Sequence, residues 1–199
     1  GSVMHKPVAD GNCTGCHDPH QSANQFQLKG AGAGLCFQCH DKAIGGGKFV
    51  HGPVAAEGCS VCHAAHSSDA PRLLMAKGNE VCYSCHSDKQ EEFAGKEFVH
   101  GPVADGCIKC HSPHSGNFAM NLPAESTRGL CFTCHTGKQA EIAKVTVKHG
   151  GLESDRGCLA CHDPHVSSFP QQLDLAPMDL CLSCHDKEYK HADGTTVAN

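Results

Sequence analysis

Eight times in this chain a pair of cysteines two residues apart is followed at once by a histidine. The first four motifs are Cys13, Cys16 and His17; Cys36, Cys39 and His40; Cys59, Cys62 and His63; and Cys82, Cys85 and His86. The second four are Cys107, Cys110 and His111; Cys131, Cys134 and His135; Cys158, Cys161 and His162; and Cys181, Cys184 and His185. They use all 16 cysteines. C-x-x-C-H is the attachment signature of c-type haem: two thiols form thioethers to the porphyrin, and the adjacent imidazole is placed to ligate the iron from one face. The pattern implies eight covalently attached haem c groups, about one for every 25 of the 199 residues.

Other uses of paired cysteines fit less well. A disulfide framework explains an even count but not a histidine after every second cysteine. At this chain's histidine frequency, eight in eight arises by chance with a probability of roughly 10⁻⁹. Zinc ribbons use C-x-x-C pairs without requiring the next residue to be His, and a thioredoxin-like pair occurs once, beside a βαβ pattern.

Composition agrees with a haem-filled interior. The apolar fraction is 39% and Trp is absent, below the roughly 45–50% of ordinary soluble domains, so side chains alone cannot build a conventional core. No apolar run approaches the ~18 residues of a membrane span. A net charge of −5 without a basic block argues against a nucleic-acid partner.

The motifs come in pairs whose first cysteines lie 23, 23, 24 and 23 residues apart, and successive pairs begin 46, 48 and 51 residues apart. Four two-haem repeats follow, 1–45, 46–95, 96–144 and 145–199. The expected fold is mostly irregular coil with short α-helices and little or no β-sheet, a single octahaem unit cored by its cofactors. Short helices are expected over the second motif of each repeat, with Asn79, Ser126 or Asp179 as caps. The runs 26–28, 73–75, 118–122 and 169–175 are expected to cover porphyrins. Segments 30–34 and 45–47 should be glycine loops that approach a macrocycle closely, and 192–199 a solvated tail.

Each iron has a second axial position. Of 17 histidines, eight belong to the motifs and nine remain. His5, His51, His100 and His149 lie 8, 8, 7 and 9 residues before the first cysteine of their repeats; His20, His66, His114 and His165 follow each first motif, three residues after its His. These eight are the expected distal ligands, with His191 left over. His20 is too near His17 to swing round to the opposite face of the same iron. The simplest wiring sends it to the second haem of its repeat and leaves His5 for the first, although His5 and its equivalents could instead bridge repeats. Bis-histidine ligation leaves every iron six-coordinate and low-spin, without a substrate position. The four methionines recur at no fixed place, so the potential-raising Met/His arrangement is not expected. With ionised propionates the oxidised holoprotein would carry about −13, and reduction should draw in protons.

C-x-x-C-H-x-P-H followed some 15–20 residues later by L-C-x-x-C-H resembles the doubled C-x-x-C-H family of multihaem c-type cytochromes, along essentially the whole chain. The resemblance implies an electron-transfer module, not an enzyme, with distal roles for His20, His66, His114 and His165. Repeat two departs in having Ala65 where the others have Pro19, Pro113 and Pro164. Some relatives polymerise into extracellular filaments, for which His5 or His191 would be a ligand shared across a subunit boundary. The expected role is extracellular electron transfer as a filament subunit. The alternative is a soluble periplasmic shuttle. A reductase with one open haem is a third reading, against which stands the lack of any C-x-x-C-K motif. A structural surface protein is a fourth. Expected partners are redox proteins, extracellular acceptors or further copies of the chain. Haem attachment of this kind is completed outside the cytoplasm. The opening Gly1-Ser2-Val3 carries no secretory h-region, so the sequence reads as a mature, exported form without a membrane anchor.

Overall fold

The computed structural model describes residues 1–124, 126–186, 189–190 and 196–197; His191 and most of the 192–199 tail lie outside them. The chain is irregular, with helices of one or two turns and strands of two residues. In chain order the strands are β1 (Val3–Met4), β2 (Phe49–Val50), β3 (Ser67–Ser68), β4 (Phe98–Val99), β5 (Ser115–Gly116), β6 (Val166–Ser167), β7 (Tyr189–Lys190) and β8 (Thr196–Val197). One compact unit comprises Gly1–Ser87 with Asp105–Glu125, and a second Asp88–Ala104 with Ser126–Asn199.

Three of the strand pairs are one joint used repeatedly. β1 runs antiparallel to β3, β2 to β5 and β4 to β6, with Met4 opposite Ser67, Val50 opposite Ser115 and Val99 opposite Val166. Each joint sets the strand before one repeat's first distal histidine against the residues after the C-H-x-x-H histidine of the next repeat. β7 and β8 form a separate pair. At the second joint Gly47 and Gly116 pass so closely that a Cβ on Gly47 would lie 2.7 Å from the Gly116 backbone nitrogen. Segment 45–47 is thus glycine-rich because another strand approaches it, which differs from the porphyrin contact expected from sequence.

Helices cover the second motif of each repeat: Gly32–Cys36, Glu80–Tyr83, Thr127–Phe132 and Pro177–Leu182. The first absorbs much of the expected 30–34 loop. Ser126 caps as expected, its hydroxyl accepting from the Gly129 N–H at 3.0 Å. Asn79 holds the cap position but turns its amide oxygen to the Cys107 N–H at 3.0 Å. Asp179 lies inside the first turn of its helix, behind Ala176 and Pro177. Helices Ser87–Ala94 and Thr136–Lys144 follow the second motifs of repeats two and three, braced by Lys89–Glu92 and Lys138–Glu141 pairs.

Packing is sparse. Among the described residues the buried apolar set is Ala33, Ala70 and Val166, and no large side chain is fully buried. Phe26 and Met120 are 75% and 80% exposed. Among the described residues no helix is long and apolar enough to cross a membrane.

Candidate metal centres

All eight motifs adopt the same local turn. The N–H of each motif histidine donates to the carbonyl of the first cysteine four residues back: His17 to Cys13 at 3.0 Å, His86 to Cys82 at 2.9 Å, His162 to Cys158 at 3.1 Å, and likewise in the other five. One helical turn sets positions i, i+3 and i+4 on one face, so two thiols and an imidazole are presented together. No disulfide joins any of the 16 cysteines. No group of three or more Cys, His, Asp or Glu converges on a metal position among the described residues, so the four-thiolate site of a zinc ribbon is not formed there.

The first-motif histidines are oriented by a backbone device. The chain turns back nine residues after each of them, and a carbonyl accepts from the imidazole Nδ1: Phe26 for His17 at 2.7 Å, Arg72 for His63 at 2.9 Å, Met120 for His111 at 2.8 Å and Gln171 for His162 at 2.9 Å. Those four residues have φ between 57 and 59°, a left-handed conformation costing roughly 1–2 kcal/mol in a non-glycine residue. The turn also pairs backbone, as in the Ala64 N–H donating to Leu73 and the Asp163 N–H to Gln172. With Nδ1 committed, Nε2 is left for a metal, the outer hydrogen bond expected of a metal-bound imidazole. The runs expected to cover porphyrins are these turns.

The other histidines are held similarly. Nδ1 of His5 donates to the Ala65 carbonyl, that of His51 to Pro113 and that of His100 to Pro164, each at 2.9 Å. Backbone N–H groups of the same three donate to the carbonyls of His66, His114 and His165 at 2.8–2.9 Å. Asp163 Oδ1 accepts from the His165 and Val166 N–H groups, and Asp18 Oδ1 from those of His20 and Gln21. These bonds hold the Asp18 carboxyl below the usual carboxylate range.

Imidazoles meet in pairs. His5 faces His40, His51 faces His86, His100 faces His135 and His149 faces His185; His66 faces His17 and His114 faces His63. Ring centroids are 6.0–6.2 Å apart. Rings in face-to-face contact would be closer. Two imidazoles sharing one metal at ~2.0–2.1 Å per bond give a centroid separation of about 6 Å. Desolvation lowers the pKa of His114, with the His63 and His51 charges adding to it.

A doubled CXXCH motif profile matches residues 5–45, 51–91, 100–140 and 149–190. The chain belongs to the doubled CXXCH family. It is therefore a multihaem electron-transfer cytochrome carrying covalently bound c-type haem. No curated protein matches the cytochrome. Its residues fit the group: thiols on one face of a turn, imidazoles spaced for a shared iron, and, among the described residues, no large buried side chain to form an interior.

The expected wiring is reversed. His5, His51, His100 and His149 face the second motif of their own repeats, while His66 and His114 face the first motif of the repeat before. The strand joints cause this, because each C-H-x-x-H turn is stitched to the preceding repeat. His165 holds the same register position in repeat four, and its ring also lies 5.6 Å from Phe93. The side chain of His20 is 90% exposed. His191 lies outside the described residues. The carbonyl acceptors of Phe26, Arg72, Met120 and Gln171 were not anticipated; each precedes by two residues a leucine (Leu28, Leu74, Leu122, Leu173) at fixed spacing from its motif.

Within the first compact unit, successive sites of the cytochrome adjoin. The sites of His17 and His40 are linked because His5 donates to both Ala65 and His66. The next step is made by cysteines: Cys36 lies against Cys59, and Cys82 against Cys107.

Proposed function

We propose that the cytochrome carries eight haems, each between two imidazoles, and conducts electrons along them outside the cytoplasm as the subunit of an extracellular filament. The observation that carries the conducting role is the set of histidine pairs 6.0–6.2 Å apart whose Nδ1 atoms are tied to backbone carbonyls. When bound, haem supplies one-electron Fe(III)/Fe(II) exchange.

The chain's own part is to fix ligand identity and spacing. Motif turns aim Nε2 and both thiols in one direction. Left-handed carbonyls and the Ala65, Pro113 and Pro164 carbonyls fix the tautomer and raise the basicity of the imidazoles. Double imidazole ligation leaves no position for a substrate, so the protein is a carrier and not an enzyme. Within the first compact unit, alternating histidine and cysteine joints keep neighbouring sites together. The partners are a donor protein, an extracellular acceptor and further copies of the chain.

Electron paramagnetic resonance of the oxidised holoprotein tests this reading. Low-spin ferric signals throughout, with no carbon monoxide uptake after reduction, are expected. High-spin signals at several sites would refute it in favour of a reductase. Electron microscopy separates fibres from the single particles of a periplasmic shuttle.

A further inference from the structure

We propose that a second copy of this chain completes the site at Cys158, Cys161 and His162 by donating His20 as the second axial imidazole, joining copies head to tail. The proposal rests on the bis-imidazole reading above and names the joint that reading leaves open.

The repeat is internally open-ended. In the two joints where both rings are seen, the C-H-x-x-H histidine of one repeat faces the first motif of the repeat before: His66 faces His17, and His114 faces His63. Advanced to repeat four, the same rule asks for a histidine opposite His162. Moved back to repeat one, it leaves His20 as a donor whose recipient is not in the described residues. His20 stands out on a turn held by Asp18, its side chain 90% exposed. His162 has its Nδ1 fixed on the Gln171 carbonyl at 2.9 Å, the same preparation as His17 and His63.

The backbone around these residues is open in matching fashion. Residues preceding His5, His51 and His100 form β1, β2 and β4. Their counterparts before His149, Val147 and Lys148, are in no strand, and Val147 is 88% exposed. Residues following His66, His114 and His165 form β3, β5 and β6. Their counterparts after His20, Gln21 and Ser22, are also in no strand and exposed. Transferring the register of Met4 opposite Ser67 sets Lys148 opposite Gln21 and Val147 opposite Ser22 of the next copy. The Nδ1 and backbone N–H of His5, His51 and His100 each find carbonyls. His149 makes neither bond among the described residues, and the transferred register assigns both to the Pro19 and His20 carbonyls of a second copy. Cysteines continue the pattern: Cys36, Cys59, Cys82, Cys107, Cys131 and Cys158 are half-buried, whereas Cys13 and Cys181 are exposed. Alternating histidine and cysteine joints would set Cys181 against Cys13 of the next copy. A second copy is therefore the occupant that supplies ligand, strand and cysteine together.

The test compares the holoprotein with its His20→Ala and His191→Ala variants, by quantitative electron paramagnetic resonance and electron microscopy. Fibres and all-low-spin haem are expected for the unsubstituted protein and for His191→Ala. His20→Ala should lose the fibres and about one eighth of the low-spin intensity, one site of eight. Added imidazole should restore that eighth without restoring fibres, which shows that the variant is folded. Unchanged spectra or surviving fibres in His20→Ala would overturn the proposal, as would the same loss in His191→Ala or an all-low-spin monomer of the unsubstituted chain. Failure of the bis-imidazole reading itself shows differently, as several high-spin sites before any substitution.

Discussion

Replacing His51 with alanine separates the observed wiring from the one that sequence suggests. His51 faces His86 at 6.2 Å and anchors its Nδ1 on the Pro113 carbonyl, while its backbone N–H, which alanine retains, donates to the His114 carbonyl at 2.9 Å. The β2–β5 joint should persist, and the lost side-chain hydrogen bond should cost about 0.5–1.5 kcal/mol. One iron of eight becomes five-coordinate, so low-spin intensity falls by about one eighth and the reduced protein takes up about one carbon monoxide per chain. Which iron opens is read by deleting a haem. Adding Cys82→Ala and Cys85→Ala removes the attachment site paired with His86, so the high-spin signal and the carbon monoxide uptake should both vanish. If both persist in the triple variant, His51 serves His63 instead, and the assignment built on the ring pairs is wrong.

Three further perturbations probe the scaffold. Asp163→Ala removes the acceptor of the His165 and Val166 N–H groups, and the holoprotein should lose about 1–2 kcal/mol in denaturant unfolding. Gly47→Ala forces a methyl against the Gly116 backbone; overpacking of this kind costs about 1–3 kcal/mol, read as a lowered melting temperature, whereas Gly137→Ala, in a helix with open space around it, should not lower it. The Ser2 N–H holds the Asp69 carboxyl below its ordinary value. Its stabilising contribution is present above the ordinary aspartate value, about 3.9, and is lost as pH falls through the lowered one. Unfolding measured against pH should show an acid-side loss in the unsubstituted protein that Asp69→Asn lacks.

The c-type haem motifs and the repeat were legible because they are side-chain facts at fixed spacing. Cys and His are rare and chemically specific, so sixteen cysteines and eight following histidines leave few readings. The Ser126 cap was legible for the same reason. The wiring was not, because it depends on which strands pair. β1 meeting β3, 60-odd residues away, has no side-chain signature in Val3-Met4 or Ser67-Ser68, and sequence proximity favoured ligation within a repeat. The carbonyls that orient His17, His63, His111 and His162 were hidden likewise: a backbone oxygen can be supplied by Phe26, Arg72, Met120 or Gln171 alike. Asn79 illustrates competition between local and distant demands, since a good capping residue turned instead to Cys107.

In this cytochrome haem takes the place of a conventional apolar interior, since among the described residues no large side chain is fully buried. Intact mass of the natively produced protein, measured under denaturing conditions, counts the covalent groups directly. The mass of the chain plus eight haems is expected; the bare polypeptide mass, or a smaller complement of haem with unmodified C-x-x-C-H cysteines, would refute a haem-filled interior.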